Sequence, residues 1–191
     1  LTFLEKNILV TFHPETLNVT DACQQMEVLL SVLSELSDTR LIFTSPNQDP
    51  GGLRLIEMIQ DFVKKHNNAR FFSSLGTKLY LSCLAQVDGV VGNSSSGLLE
   101  APTLATGTIN IGNRQRGRLL ADSVIQCELE TEAIRAAIVR LYSKQFQKSL
   151  SDIENPYGKG GAGERILKII RDFPLDTIVQ KTFYDLPSEL P

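Results

Sequence analysis

The chain has 191 residues, a size that suits one ordinary domain or one half of a two-domain enzyme. Its composition of 42% hydrophobic and 21% charged residues excludes wholesale disorder. Nineteen Lys and Arg against 22 Asp and Glu give a formal net charge of −3, which argues against a nucleic-acid backbone binder and leaves room for a local basic pocket holding one small anion. Cys23, Cys83 and Cys127 are widely spaced and form no CxxC or Cys/His cluster, so reduced thiols in a cytoplasmic protein are expected. No apolar run approaches the ~18 residues of a membrane span. No basic-then-apolar leader opens the chain, and its start at Leu1 without methionine suggests a fragment.

Short apolar runs alternate with amphipathic ones. Residues 7–12 read as a buried strand, and 21–36 as a helix with Met26, Leu29, Leu30, Leu33 and Leu36 on one face. Asp21 and Gln24 resemble a capping box at its start. A strand over 41–44, a loop over 45–52 and a helix over 53–65 follow. Then come a strand at 69–72, a helix at 77–86, a strand at 89–91, a helix at about 97–104, and strands at 108–111 and 123–126. Helices over 130–142 and 163–171 close the pattern, and beyond Pro174 a last helical stretch carries Ile178, Val179 and Phe183. Strands joined through helices require crossovers, hence a mostly parallel sheet covered on both faces. The expected class is therefore α/β, a Rossmann-like parallel sheet in one domain over 1–191, with ligand residues just after each strand.

The strand ends are informative. His13 follows the first strand, and Pro14 pushes it into an extended conformation. His13 and His66 are the only histidines, so a zinc site would be short of ligands and no metal or cofactor is expected. SPNQDPGG after the second strand is turn chemistry, with Asn47 as a polar contact. After the fourth strand, Gly92-Asn93-Ser94-Ser95-Ser96-Gly97 opens a helix with hydroxyls and unpaired N–H groups, a candidate phosphate cradle. It is neither a Walker A loop nor a nucleophile elbow. An ordinary Ser N-cap is the plain alternative. Glu100, one turn along, is placed to accept from two vicinal ribose hydroxyls. The fifth strand leads to Arg114, Arg116 and Arg118, whose guanidinium forks suit phosphate oxygens. Gly158-Lys-Gly160-Gly-Ala-Gly163 matches a dinucleotide fingerprint in letters, but no strand precedes it, so it fails its context.

Together VTFHPET, SPNQDPGG, VVGNSSSGLLEAP, INIGNRQRGR and NPYGKGGAGERI resemble the hydrolysing UDP-N-acetylglucosamine 2-epimerases of sialic acid biosynthesis, over nearly the whole chain and in the family's order. The resemblance implies one half of a glycosyltransferase-B-type two-domain fold, the carboxyl-terminal half, with the amino-terminal half and its proton-transferring carboxylates absent. It implies elimination of UDP from UDP-N-acetylglucosamine to a glycal and hydration to N-acetylmannosamine. By motif match, Ser94, Ser95, Gly97 and Arg114 would hold the diphosphate, Glu100 the ribose, and the backbone at Leu75 and Gly76 the uracil edge. His13 would face the pyrophosphate as leaving-group hydrogen-bond donor or acid, and Asn47 the sugar. Arg116 and Arg118 are less secure. The expected partner is a UDP-sugar, with no nucleic acid, no membrane, and a homo-oligomer for the full-length protein. A non-hydrolysing epimerase, a UDP-sugar transferase and a UDP-binding module inactive on its own are the competing readings.

Overall fold

The computed structural model describes residues 2–14, 22–47, 51–176, 179 and 183. They fall into two compact units, Leu1–Gly158 and Lys159–Pro191. In the first unit, β1 (Lys6–Thr11), α1 (Ala22–Leu33), β2 (Thr39–Thr44), α2 (Gly52–Lys65), β3 (Ala69–Phe72), α3 (Gly76–Leu84) and β4 (Gly89–Gly92) alternate in chain order. After them come α4 (Ser96–Leu99), β5 (Gly107–Ile111), β6 (Val124–Cys127), α5 (Thr131–Leu141) and α6 (Lys144–Ser149). The six strands form one sheet in the order β3-β2-β1-β4-β5-β6, every pair parallel. Strand order reverses between β1 and β4, and the carboxyl ends of those two strands flank the crevice where such sheets take ligands.

Period-two alternation along buried strands sorts side chains into two layers. Ile8, Val10, Leu41, Phe43, Val91, Ile109 and Ile111 join one apolar cluster with α1, α2 and α5, whereas Leu9, Ile42 and Val90 join the other with α3. The helices present matching stripes. Met26, Leu29, Leu30 and Leu33 on α1 repeat at the helical period and are buried, as are Ile134, Ala137, Ile138 and Leu141 on α5. Each Leu, Ile or Met side chain among them taken out of water contributes roughly 1.5–3 kcal/mol, so these stripes hold the helices to the sheet.

Most element boundaries lie within a residue or two of the sequence expectation, and two of the three departures have a physical cause. The helix expected over 97–104 ends as α-helix at Leu99 and continues as a 3-10 turn over Ala101–Leu104. Pro102 has no N–H to donate back to Leu98, and its ring crowds the preceding carbonyls. α6 was not expected. Six residues with Phe146 as their one buried side chain give no periodic signal, and what starts the helix is Ser143 Oγ accepting from the Phe146 N–H at 3.3 Å. Helix α1 stops at Leu33, before Leu36. The Asp21 capping box and Ile178 lie outside the described residues, while Val179 and Phe183 are exposed. The second unit contributes α7 (Ala162–Asp172), whose Ile166, Leu167, Ile169 and Ile170 are exposed.

Two glycines let loops close on strand ends. Gly92 has φ +140°, and a Cβ there would sit 2.0 Å from the Thr11 carbonyl oxygen. At Gly52 a Cβ would meet the Asn47 carbonyl oxygen at 2.2 Å. Gly92→Ala therefore combines a left-handed backbone with a main-chain clash. It is expected to cost about 3 kcal/mol or more, read from urea denaturation midpoints; a loss below about 1 kcal/mol would show that β1 and β4 can part without harm.

Candidate functional site

Every sequence-expected site residue for which a position can be described lies at the carboxyl edge of the sheet or on the first turn beyond it. Position 13 follows β1, 47 follows β2, 75 and 76 follow β3, 94–100 follow β4, and 114 follows β5. The parallel topology produces this gathering, because every crossover returns the chain to the opposite edge. Asn93 ties three of these loops together. Its side chain is fully buried. Its Oδ1 accepts from the His13 N–H at 2.7 Å while its Nδ2 donates to the His13 carbonyl at 2.9 Å. Its own carbonyl accepts from Arg114 Nη1 at 3.1 Å and Gln115 Nε2 at 2.7 Å. The Asn47 N–H donates to His13 Nδ1 at 3.0 Å, which brings in the loop after β2. A buried pair, Thr11 Oγ1 and Thr44 Oγ1 at 2.6 Å, fixes the two strand ends just beneath.

The serine turn has a defined form. Ser94, Ser95 and Ser96 are half-buried, and Ser94 Oγ accepts from the Ser96 N–H at 3.4 Å. Ser95 occupies the N-cap of α4 without a side-chain cap bond, so its hydroxyl is not spent on the helix. No hydrogen bond among the described residues uses the N–H of Ser94 or Ser95. Because α4 has four residues, these N–H groups and the hydroxyls, more than a long helix dipole, would meet an anion. Gly97 is buried; its carbonyl accepts from Thr108 Oγ1 at 2.9 Å, and a Cβ would strike Thr108 Cγ2 at 2.5 Å. It seats the turn on β5. Arg114 is exposed, with one Nη1 bond to the main chain and the remainder of its fork unused among the described residues. Arg116 and Arg118 are exposed and form no ion pair among those residues.

Beside this turn lies a cavity of about 400 Å³, lined by residues after β2, β3 and β4 that include Ser45, Ser74, Leu75, Gly76, Tyr80 and Glu100. Its size falls in the range of small-molecule sites. Glu100 Oε2 is buried with no hydrogen-bond partner, an arrangement that costs roughly 1–3 kcal/mol and that a ligand hydroxyl would relieve. The Gly76 N–H donates to Ser74 Oγ at 3.2 Å, a long bond that a better acceptor can displace. Tyr80 OH lies 2.6 Å from Ser96 Oγ, joining cavity and serine turn. Burial pushes the Tyr80 phenol above its ordinary range, with the Ser96 contact opposing, so Tyr80 stays a neutral hydrogen-bonding group. Asn93, Gln115 and Tyr80 were not singled out by sequence reasoning. Asn93 carried one usable signal, its place directly after the glycine that ends a buried strand; Gln115 and Tyr80 carried none.

A sequence profile of the family described as UDP-N-acetylglucosamine 2-epimerase matches residues 3–171. The chain belongs to that family. It is 39% identical over 186 residues to the GDP/UDP-N,N'-diacetylbacillosamine 2-epimerase (hydrolyzing) of Campylobacter jejuni, covering 96% of this chain and 48% of that protein. It is 36% identical to the polysialic acid biosynthesis protein P7 of Escherichia coli, covering 97% and 48%. The epimerase-family chain thus spans about half the length of the curated relatives it matches. Among solved structures, the MnaA–UDP co-structure from S. aureus superposes with a TM-score of 0.68 at 20% identity, covering 87% of this chain and 44% of that one. The Neisseria meningitidis UDP-GlcNAc 2-epimerase bound to UDP-GlcNAc superposes with a TM-score of 0.65 at 19% identity, covering 90% and 45%. These likenesses establish the fold, a Rossmann-like α/β sheet that is one half of a glycosyltransferase-B-type pair. None of Cys23, Cys83 and Cys127 is in a disulfide, and burial pushes the Cys127 thiol up to about 11. No helix among the described residues is long and apolar enough to cross a membrane.

The orphaned Glu100 oxygen makes an unusual stability prediction. Glu100→Ala removes a buried group with no partner, so the unliganded chain is expected to lose no stability and to gain up to about 1 kcal/mol by thermal or urea unfolding. A loss above about 2 kcal/mol would show that the carboxylate holds the fold and is not kept for a ligand.

Proposed function

We propose that this chain is the UDP-binding half of a hydrolysing UDP-N-acetylglucosamine 2-epimerase. The observation that carries the reading is the buried, unpartnered Glu100 oxygen in the wall of a nucleoside-sized cavity that Tyr80 links to the serine turn. UDP divides naturally over these features. Uracil lies against the main chain of Leu75 and Gly76, the ribose hydroxyls donate to Glu100, and the diphosphate meets the Ser94 and Ser95 N–H and hydroxyl groups and the Arg114 fork. Gly97 lets the turn sit close enough to β5 to present them. His13 donates to the leaving diphosphate, and the Asn47 side chain reaches toward the sugar. The common location of these residues at the carboxyl edge of the sheet supports this division.

In the complete protein the reaction removes the C2 proton of the sugar, breaks the anomeric C–O bond with departure of UDP, and adds water to the resulting glycal to release N-acetylmannosamine. The base belongs to the missing half. This half stabilises the charge that grows on UDP, by preorganised donors aimed at the phosphate oxygens. Alone it presents one wall of a cleft, so it neither positions C2 nor excludes water, and it is expected to bind UDP weakly and turn nothing over. The thiols outside any disulfide fit a cytoplasmic enzyme, and a homo-oligomer is expected of the full-length protein. The 39% identity to a diacetylbacillosamine epimerase favours a second reading of the sugar, a 2,4-diacetamido hexose in place of N-acetylglucosamine. Supplying the full-length enzyme with each UDP-sugar and identifying the released sugar separates the two, and recovery of a UDP-linked product would show a non-hydrolysing enzyme.

Calorimetry on this chain tests the nucleotide site itself. Arg114→Ala is expected to weaken UDP about ten-fold, since one charge-assisted hydrogen bond contributes roughly 1.5 kcal/mol or more; unchanged affinity would remove Arg114 from the site. Wild type is expected to prefer UDP over its 2′-deoxy counterpart, and Glu100→Ala to erase that preference. Discrimination persisting at the wild-type ratio would make Glu100 a structural residue.

A further inference from the structure

The chain has two histidines, and their Nδ1 atoms are used in opposite ways. His66 Nδ1 lies 2.8 Å from the Phe62 carbonyl oxygen. A carbonyl only accepts, so His66 carries a proton on Nδ1. His13 Nδ1 lies 3.0 Å from the Asn47 main-chain nitrogen, whose N–H points at it. A peptide N–H only donates, so His13 Nδ1 bears no proton and the ring proton sits on Nε2. Around this ring the main chain is held on both sides. The Asn93 carboxamide takes the N–H and the carbonyl of residue 13 together, in a pocket closed to water.

We propose that Asn93 is the positioning residue for His13, and that with the Asn47 N–H it presents His13 as a neutral Nε2–H donor. The consequence for chemistry is specific and rests on the nucleotide reading above. A neutral imidazole with its proton on Nε2 has no lone pair at that nitrogen, so that edge of His13 cannot take the C2 proton. Its other nitrogen is covered by the Asn47 N–H. Forming the imidazolium would set a second N–H against that donor and break its bond to Asn47, whose carbonyl abuts Gly52. His13 therefore gives a hydrogen bond to the departing diphosphate oxygen and keeps its proton, a narrower role than acid catalysis. Placement at the reversal of strand order explains why an asparagine is used. Only a side chain with donor and acceptor on one planar group can satisfy both main-chain groups of a residue on the neighbouring strand's extension.

The test is nitrogen NMR of the 191-residue chain. Multiple-bond correlations of the two imidazoles are expected to show opposite tautomers, His13 with a pyridine-type Nδ1 and His66 with a pyrrole-type Nδ1, assigned with a His66→Gln variant. The His13 amide is expected to exchange slowly with solvent. Asn93→Asp keeps the acceptor but turns a carboxylate oxygen toward the His13 carbonyl. It is expected to speed His13 amide exchange about ten-fold or more, the loss of about one buried hydrogen bond, and to mix the His13 tautomers while leaving His66 unchanged. Should that variant not fold, Asn47→Pro removes the N–H donor from an exposed position and is expected to mix the His13 tautomers alone. A protonated Nδ1 on His13 in the wild-type chain overturns the proposal, as does a fast-exchanging His13 amide or a His13 ring indifferent to these substitutions. Titrating UDP separates this from the nucleotide reading. Binding that shifts the His13 Nε2 signal and not His66 supports the donor role, binding that leaves His13 unmoved overturns it, and no binding at all overturns the nucleotide reading without touching the tautomer result.

Discussion

A planar carboxamide bridging two parallel strands underlies the organisation of this half-cleft. Asn93 leaves β4 and pairs with both main-chain groups of residue 13, at the end of β1, while its own carbonyl gathers Arg114 and Gln115 from the loop after β5. Strands at a point of reversed order diverge, since their connections run to opposite faces of the sheet, and the groups exposed there have no ladder to join. Buried main-chain groups need partners wherever they lie. Asn93 supplies them, and in doing so it fixes the separation between the loops that bear the histidine, the serines and the arginine.

Everything near that bridge is arranged to let it form. Gly92 allows β4 to pass within contact of the Thr11 carbonyl, and Gly52 leaves room for the carbonyl of Asn47, whose N–H reaches the imidazole. The paired threonine hydroxyls of β1 and β2 close the space below. Farther out, Asn110 and Gln126 bond side chain to side chain at 2.6 Å, and Gln126 continues to the Gly112 carbonyl at 2.7 Å, steadying the start of the arginine loop. The motif Asn155-Pro156-Tyr157 has a similar task. Asn155 Nδ2 caps the Leu99 carbonyl at 2.8 Å, where Pro102 has already interrupted the helix. The letters of a dinucleotide fingerprint that follow it come after a turn and no strand, so they lack that motif's strand–turn–helix setting.

Along this edge several polar groups have no protein partner among the described residues, and one of the buried ones, Glu100 Oε2, lies in a cavity wall. Among the described residues Glu100 Oε2 has no partner, the Ser94 and Ser95 N–H groups have none, and most of the exposed Arg114 fork is unused. Native interiors tolerate few buried atoms like the Glu100 oxygen. Glu100 lines a cavity of about 400 Å³, and the Tyr80 OH–Ser96 Oγ contact joins that cavity to the serine turn, a grouping that a ligand explains more economically than imperfect packing. The ligand would need hydroxyls for the carboxylate and anionic oxygens for the amides and the guanidinium, and a nucleoside diphosphate offers both.

The sequence by itself determined the layers and the edge. Period-two strands and helical stripes such as Met26, Leu29, Leu30 and Leu33 fix which faces are buried, so a parallel sheet with ligand residues at its carboxyl ends follows from local patterning. The serine turn, Glu100, Arg114 and His13 were legible for the same reason, because chemistry-bearing residues directly after strands are conspicuous. The tertiary structure alone decided the rest. Whether Asn93 faced solvent or the main chain of residue 13, whether Gln115 or Arg116 turned inward, and which group met His13 Nδ1 all depend on groups 21 to 80 residues apart in the chain. No local propensity encodes a hydrogen bond between such groups; it exists only once the packing of the sheet has brought two strand ends together.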